Sequence, residues 1–326
     1  MDKVNSESAQ SAGRLPFGLP SVNAKKEFGN ANYLWISYFY SYLNEKGRAG
    51  FVMASSATDS SGKDRDIRQK LVETGHVDVM VSVGNNFFYT KSLPCSLWFF
   101  DKGKREELQD KVLFLDARNY YTVVDRTLNE WSEWQLKNLN SIVWLYRGEM
   151  DKYIKLLDDY RRHLLHCAVE LKANEVCHVI TPTAAFADIL SAFEAFEAEQ
   201  KQQAKFDMEH VLRKEKKALQ KIWDEKLAAI AEAITVAKEA VWLCEKFGEG
   251  EYADVLGLCK KATLAEIEGK GWSLTPGAYV GVAPVEDDGV DFAQRMAEIH
   301  HELLALQSES NELMATISKN MEEMGI

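Results

Sequence analysis

No Gly-rich turn of the kind that cradles a dinucleotide or phosphate follows a first strand in this chain. No apolar run approaches the roughly 18 residues of a membrane span, and the opening MDKVNSESAQSAGRLPFGLP has no apolar signal core. The five cysteines (Cys95, Cys167, Cys177, Cys244, Cys259) are too scattered for a metal-ligand spacing, and their odd number points to reduced, buried thiols inside a cell. None of the seven histidines joins Glu or Cys in a zinc pattern: His76 enters a strand, His163 and His166 are three apart on a helix, and His300 and His301 are adjacent. Positive charge is also short. A net charge of -11 argues against the whole surface being a general nucleic-acid grip, though it allows a local basic patch or DNA binding through a partner. The expectation is a cytoplasmic protein with no metal site and no membrane partner.

The 326 residues, 46% hydrophobic and 27% charged, suit one large or two ordinary globular domains. After a loop punctuated by Pro16, Gly18 and Pro20, NANYLWISYFYSYLNEKG reads as a mostly buried helix closed by Gly47. RAGFVMASS is a short strand, GKDRDIRQKLVETG a charged amphipathic helix stopped at Gly75, and HVDVMVSV, LPCSLWFF and KVLFLDAR are further apolar strands. Such strands with helices between them indicate an open α/β sheet covered on both sides, its first strand of parallel type.

Beyond Tyr121 the pattern changes. TLNEWSEWQLKNLNSIVWLYRGE suggests short helices, and residues 151–247 are dominated by long ones. One runs through FDMEHVLRKEKKALQKIWDEKLAAIAEAITVAKEAVWLCEKFG, free of Pro and Gly until Gly248. GKGWSLTPGAYVGVAPVEDDG interrupts with two extended pieces. The last segment carries Phe292, Met296, Ile299, Leu303, Leu306, Leu313 and Ile317 at coiled-coil-like spacing. That helix either folds back on its own protein or docks on a partner's helix; acidic flanks (PVEDDG, NMEEMG) argue against a direct DNA role for it. The chain thus divides into an α/β part at 1–125, a helical region at 126–250, and a punctuated segment with a coiled-coil-like helix at 251–326.

Single residues offer few catalysts. Asp78 lies in a buried-looking strand, where a carboxylate either caps locally or acts catalytically. Asp116 and Arg118 end VLFLDAR, where a salt bridge or a ligand contact are both open. The Ser/Thr/Gly loop beginning at Ser55 and Ser56 leaves a strand end and enters a helix, the place where open sheets form a ligand crevice. GNNFFYTKS leaves a neighbouring strand in the same way, so Phe87, Phe88 and Tyr89 either pack in the core or present a flat ring to a ligand such as an extruded nucleobase.

Four blocks, NANYLWISYFYSYLNEKGRAGFVMASS, IRQKLVETGHVDVMVSVGNNFFYTKSLPCSLWFFDKGK, VLFLDARN and GWSLTPGAYVGV, closely resemble the modification (methylation) subunit of type I restriction-modification systems. The resemblance covers roughly residues 14–147 and 271–282, and the C-terminal helix fits it. It implies an adenine-N6 DNA methyltransferase using S-adenosylmethionine, with a partial class I (Rossmann-like) methyltransferase sheet followed by a mainly helical C-terminal region with long helices. Residues 151–260 have no counterpart and read as an elaboration.

The family's Gly-rich cofactor turn and its Asn-Pro-Pro-Phe tetrapeptide are both missing from the sequence. The resemblance therefore implies a truncated modification subunit with no catalytic residues of its own, no bound cofactor and no activity alone. It assigns target-base stacking to Phe88, with Phe87 the second choice and Tyr89 lining the pocket, and puts Ser55 and Ser56 beside the catalytic edge. The implied partners are the specificity and restriction subunits, DNA within that complex, and a separately encoded N-terminal half or a second copy. The alternative is a non-catalytic assembly protein that binds the specificity subunit or that half through its helices.

Overall fold

The computed structural model describes residues 6–28, 30–283 and 292–323. The chain divides into two units, one ending at Val282 and one spanning Ala283–Ile326.

In the first unit, a short helix α1 (Ser6–Ser11) and α2 (Asn32–Ser41) precede β1 (Arg48–Ala54). Next come α3 (Lys63–Glu73), β2 (Val77–Val83), β3 (Cys95–Asp101) and β4 (Lys111–Asp116). A small hairpin, β5 (Thr122–Asp125) and β6 (Leu128–Glu130), leads into α4 (Glu133–Tyr146), α5 (Met150–Glu170) and α6 (Asn174–Val179). Two long helices, α7 (Phe186–His210) and α8 (Lys216–Phe247), are followed by β7 (Cys259–Thr263), α9 (Leu264–Gly269) and α10 (Gly277–Val280).

Five strands form one mixed sheet in the order β1-β3-β2-β4-β7. β3 is antiparallel to both β1 and β2, β4 is parallel to β2, and β7 is antiparallel to β4. Hence β1, β2 and β4 point the same way and end on one edge. The α/β class read from the sequence holds. A first strand with a parallel neighbour does not: the link from β2 to β3 contains no helix, so β3 must return antiparallel, and it inserts beside β1.

The apolar runs are explained by burial on two faces. Val79, Val81, Val83, Leu113 and Leu115 pack toward α4, α5 and α8. Met80, Trp98, Phe100, Val112 and Phe114 pack toward α2, α3 and the segment around Tyr279. Trp98 and Phe100 are strand core, as their run suggested, and the Trp98 indole donates to Ser96 Oγ at 2.9 Å.

Three helical readings change. TLNE forms strand β6 rather than helix, and the following residues make one helix, α4, opened by a reciprocal capping box between Ser132 and Gln135. The long run through residues 206–247 breaks at 211–215, where Val211 turns extended (φ -79°, ψ 147°). No Pro or Gly marks the break; folding back lets the stripes of α7 and α8 cover each other, and Lys226 Nζ reaches Gln200 Oε1 at 2.6 Å across the pair. Residues 251–282, grouped by sequence with the terminal helix, lie in the first unit, where β7 is the sheet's outer strand and Gly277–Val280 is a helical turn rather than an extended piece.

The second unit contains α11 (Phe292–Glu323). Met296, Ile299, Leu303, Leu306, Leu313 and Ile317 are exposed on it. The side chain of Phe292 and the PVEDDG flank lie outside the described residues. Among the described residues no helix is long and apolar enough to cross a membrane.

Candidate functional site at the carboxyl edge of the sheet

The edge shared by the ends of β1, β2 and β4 is stitched from below. Ala117 N donates to Ser82 O at 3.0 Å, and Asp116 N to Leu258 O at 2.8 Å. Gly84 lies so close to the chain after β4 that a Cβ there would sit 2.8 Å from Arg118 O. Arg118 grips Asp116 with two parallel bonds, Nε to Oδ1 at 2.8 Å and Nη2 to Oδ2 at 2.6 Å, which raises the pKa of its guanidinium. A Cβ on Gly277 would come 2.8 Å from Arg118 Nη2, so the α10 turn is fitted against this pair.

Ser55 and Ser56 begin a turn of 3₁₀ helix (Ser55–Thr58) directly after β1, and both are exposed. The turn is fixed from inside. Thr58 Oγ1 and Thr275 Oγ1 are 2.7 Å apart, and Leu274 N donates to Thr58 O at 2.8 Å. Tyr33 OH donates to Ala57 O at 2.6 Å. Behind them Arg68 is fully buried and donates to Trp272 O, Ser60 O and Tyr33 OH at 2.5, 2.9 and 3.0 Å. Burial, opposed by the Arg68 charge, pushes the Tyr33 phenol up to about 12, so it stays a hydrogen-bond donor at neutral pH.

Residues 84–94 carry the three aromatics, and the structure separates them. Phe87 is half-buried, edge-on to Tyr121 with ring centres 5.9 Å apart and tilted on Trp131 at 4.9 Å. Trp131 is held where the hairpin begins and ends, its Nε1 donating to Tyr120 O at 2.7 Å. Asn129 of β6 ties the loop down, its N donating to Asn86 O at 2.7 Å and its Nδ2 to Asn85 O at 3.0 Å. With Phe87 as the anchor, Phe88 is 40% exposed and Tyr89 92% exposed. The register of β1 on β3 sets Ala54 opposite Cys95, so Ser55 follows at the point where the aromatic loop rejoins the sheet. The edge thus combines free aromatic faces with exposed hydroxyls.

Other candidates lie elsewhere. Asp78 is near the amino end of β2, at the opposite edge of the sheet, buried against Arg147 and with Lys104 Nζ at 3.8 Å. Its role is a structural ion cluster. His76 Nδ1 pairs with Tyr40 OH at 2.7 Å, and His163 Nε2 lies 3.6 Å from Cys167 Sγ. Among the described residues no group of three His, Cys, Asp or Glu could hold a metal. Sequence reasoning passed over Arg68, Thr58 and Thr275. For Arg68 the signal was present: Asp64, Ile67, Arg68, Leu71 and Val72 share the buried face of α3.

Residues 21–161 match the family described as N-6 DNA Methylase. Along most of its length the chain is similar to methylase subunits of type I restriction enzymes, and this similarity includes most of residues 151–260, which the sequence reading left without a counterpart. It is 27% identical over 297 residues to the MjaIX subunit of Methanocaldococcus jannaschii, covering 91% of this chain and 36% of that protein. Against the HindI subunit of Haemophilus influenzae it is 23% identical over 298 residues, covering 91% of this chain and 44% of that protein. A solved methyltransferase subunit from a Streptococcus thermophilus type I restriction-modification system aligns with a TM-score of 0.44 and 13% identity, over 86% of this chain and 36% of that one. Residues 21–161, less than half of the chain, thus resemble N-6 DNA methylases. The wider match is to type I methylase subunits, at low identity and over less than half of their length.

Proposed function

We propose that this chain supplies the target-base side of an adenine-N6 DNA methyltransferase working within a type I restriction-modification assembly. The observation that carries the reading is the aromatic loop at the carboxyl edge, inside the segment that matches the methylase family: Phe87 anchors it and Phe88 keeps a free ring face. An adenine drawn from the duplex stacks on Phe88, with Tyr89 beside it and the Ser55 and Ser56 hydroxyls along the same edge. A stacked base is worth about 1–3 kcal/mol, enough to hold its plane while leaving its polar edge free.

The family draws its methyl group from S-adenosylmethionine. The sequence holds neither the family's Gly-rich cofactor turn nor its Asn-Pro-Pro-Phe tetrapeptide. The donor pocket and the Asn-Pro-Pro-Phe tetrapeptide are accordingly assigned to another polypeptide segment, with DNA sequence read by the specificity subunit.

Titration of this chain with S-adenosylmethionine in a calorimeter is expected to give no saturable heat. Saturable binding at micromolar concentration would overturn the division of labour. A second reading, an assembly protein without a base site, is favoured by the exposed apolar stripe of α11. It predicts co-purification with the specificity subunit that deletion of residues 290–326 abolishes, and no effect of Phe88 on methylation.

A further inference from the structure

Helices α7 and α8, residues 186–247, form an arm. Cross-pairs Lys226–Gln200 and Lys238–Glu194 make α7 and α8 antiparallel. The side chains they bury with the body lie at the arm's base: Phe186, Ile189 and Phe193 on α7, and Ile230, Ala233, Ile234, Ala237, Ala240 and Leu243 on α8. Beyond them only Ala204 and Trp223 are buried. From Phe193 to His210 the arm extends roughly 25 Å at 1.5 Å per residue.

At its tip this acidic chain reverses sign. Residues 211–221, VLRKEKKALQK, contain Arg213, Lys214, Lys216, Lys217 and Lys221 against one carboxylate, Glu215. All six are exposed. Lys214 faces Glu215 at 3.7 Å and Lys221 faces Glu225 at 3.7 Å, whereas Arg213, Lys216 and Lys217 have no carboxylate within ion-pair distance among the described residues. Four of these cations crowd the start of α8, where the helix dipole disfavours positive charge. The helix dipole thus opposes the cluster, and the fold does not account for it.

We infer that the tip of the α7–α8 arm, through Arg213, Lys214, Lys216 and Lys217, binds the phosphate backbone of duplex DNA as a contact separate from the base site; the choice of DNA rests on the proposed function. Single strands need free rings for stacking. Phe206, on α7 near the tip, is exposed but has the ring of His210 stacked on one face at 4.1 Å, so a single ring face is left there. A membrane surface needs a continuous apolar face beside the cations, whereas the large apolar side chains exposed around the tip, Phe206, Leu212 and Ile222, are single residues on three different segments (α7, the turn and α8).

The test is fluorescence anisotropy of a labelled 30-base-pair duplex with the full chain at 50, 100 and 200 mM salt. Each phosphate contact contributes about 0.9 to the slope of log affinity against log salt, so R213S/K214S/K216S/K217S should flatten the slope by about 3 to 4 and weaken binding at 50 mM at least roughly tenfold. The charge-conserving set R213K/K214R/K216R/K217R should bind like the parent, which separates charge from folding. A matched set on other surfaces, R14S/K25S/K46S/K155S, should stay within about twofold of it, since removing distant charge is screened. The inference is overturned if the neutralised tip binds like the parent or if the matched set loses as much. It is equally overturned by absence of duplex binding at 50 mM, or by tighter binding to a 30-nucleotide RNA or to phosphatidylserine vesicles. Loss of tip-dependent binding leaves Phe88-dependent methylation untouched. Tip-dependent binding with methylation indifferent to Phe88 would instead remove only the reading on which the choice of DNA rests.

Discussion

Asp78 and Lys104 are both almost wholly buried, with Arg147 and Asp101 beside them, and Lys104 Nζ also donates to Val77 O at 2.7 Å. Burial pushes the Lys104 ammonium from its ordinary 10.5 down to about 8, with Asp78 and Asp101 opposing the shift and Arg147 adding to it. Since the folded chain releases this proton before the unfolded chain does, the stability linked to Lys104 rises as pH climbs from about 8 to about 10.5 and is lost as pH falls through 8. Urea midpoints across this range should therefore rise less in Lys104→Met than in the parent; superimposable trends would contradict the assignment. Asp78→Asn leaves two buried cations without their carboxylate and should cost about 3–5 kcal/mol. None of this was legible in the sequence, where Asp78 was only a polar residue in an apolar strand. Its partners come from a loop and from the end of α4, far along the chain. The place of Phe88 in a strand-end loop was more legible, because it is local; the anchoring of Phe87 by Tyr121 and Trp131 is not.

The arm formed by α7 and α8 packs on the body only through its proximal half. Replacing residues 197–226 by a short Gly/Ser link should thus leave the sheet and α4–α5 intact, lowering Tm by less than about 4 °C, the shift of roughly 1 kcal/mol in a domain of this size. A drop of 10 °C or more would show that the distal arm supports the core. Elements made from apolar runs, β1 to β4, and from a charged amphipathic stripe, α3, were readable because burial on two faces or one leaves a period in the residues. The hairpin β5–β6 was not: Thr122–Asp125 are all exposed, so no alternation marks them. The α7–α8 turn was hidden for a different reason. Helix formers occupy 211–215, and the turn comes from packing between helices.

At the scale of the molecule, the account divides one reaction between segments. Phe88 and Tyr89 are exposed in the loop after β2, and Ser55 and Ser56 are exposed directly after β1; the proposed function makes these the target-base side and assigns the methyl donor to another segment. The proposed division, with DNA sequence read by a specificity subunit, fits a net charge of -11, and the inferred phosphate contact at the basic arm tip needs no change in that balance. The most direct measurement is adenine-N6 methylation in cells that co-express this chain with a polypeptide carrying the cofactor turn and Asn-Pro-Pro-Phe, together with the specificity subunit. Mass spectrometry of the DNA should find N6-methyladenine only when this chain is present, and Phe88→Ala should lower it by roughly tenfold or more, the loss expected for one stacking ring. Methylation that proceeds without this chain, or at the parental level with Phe88→Ala, would contradict the account.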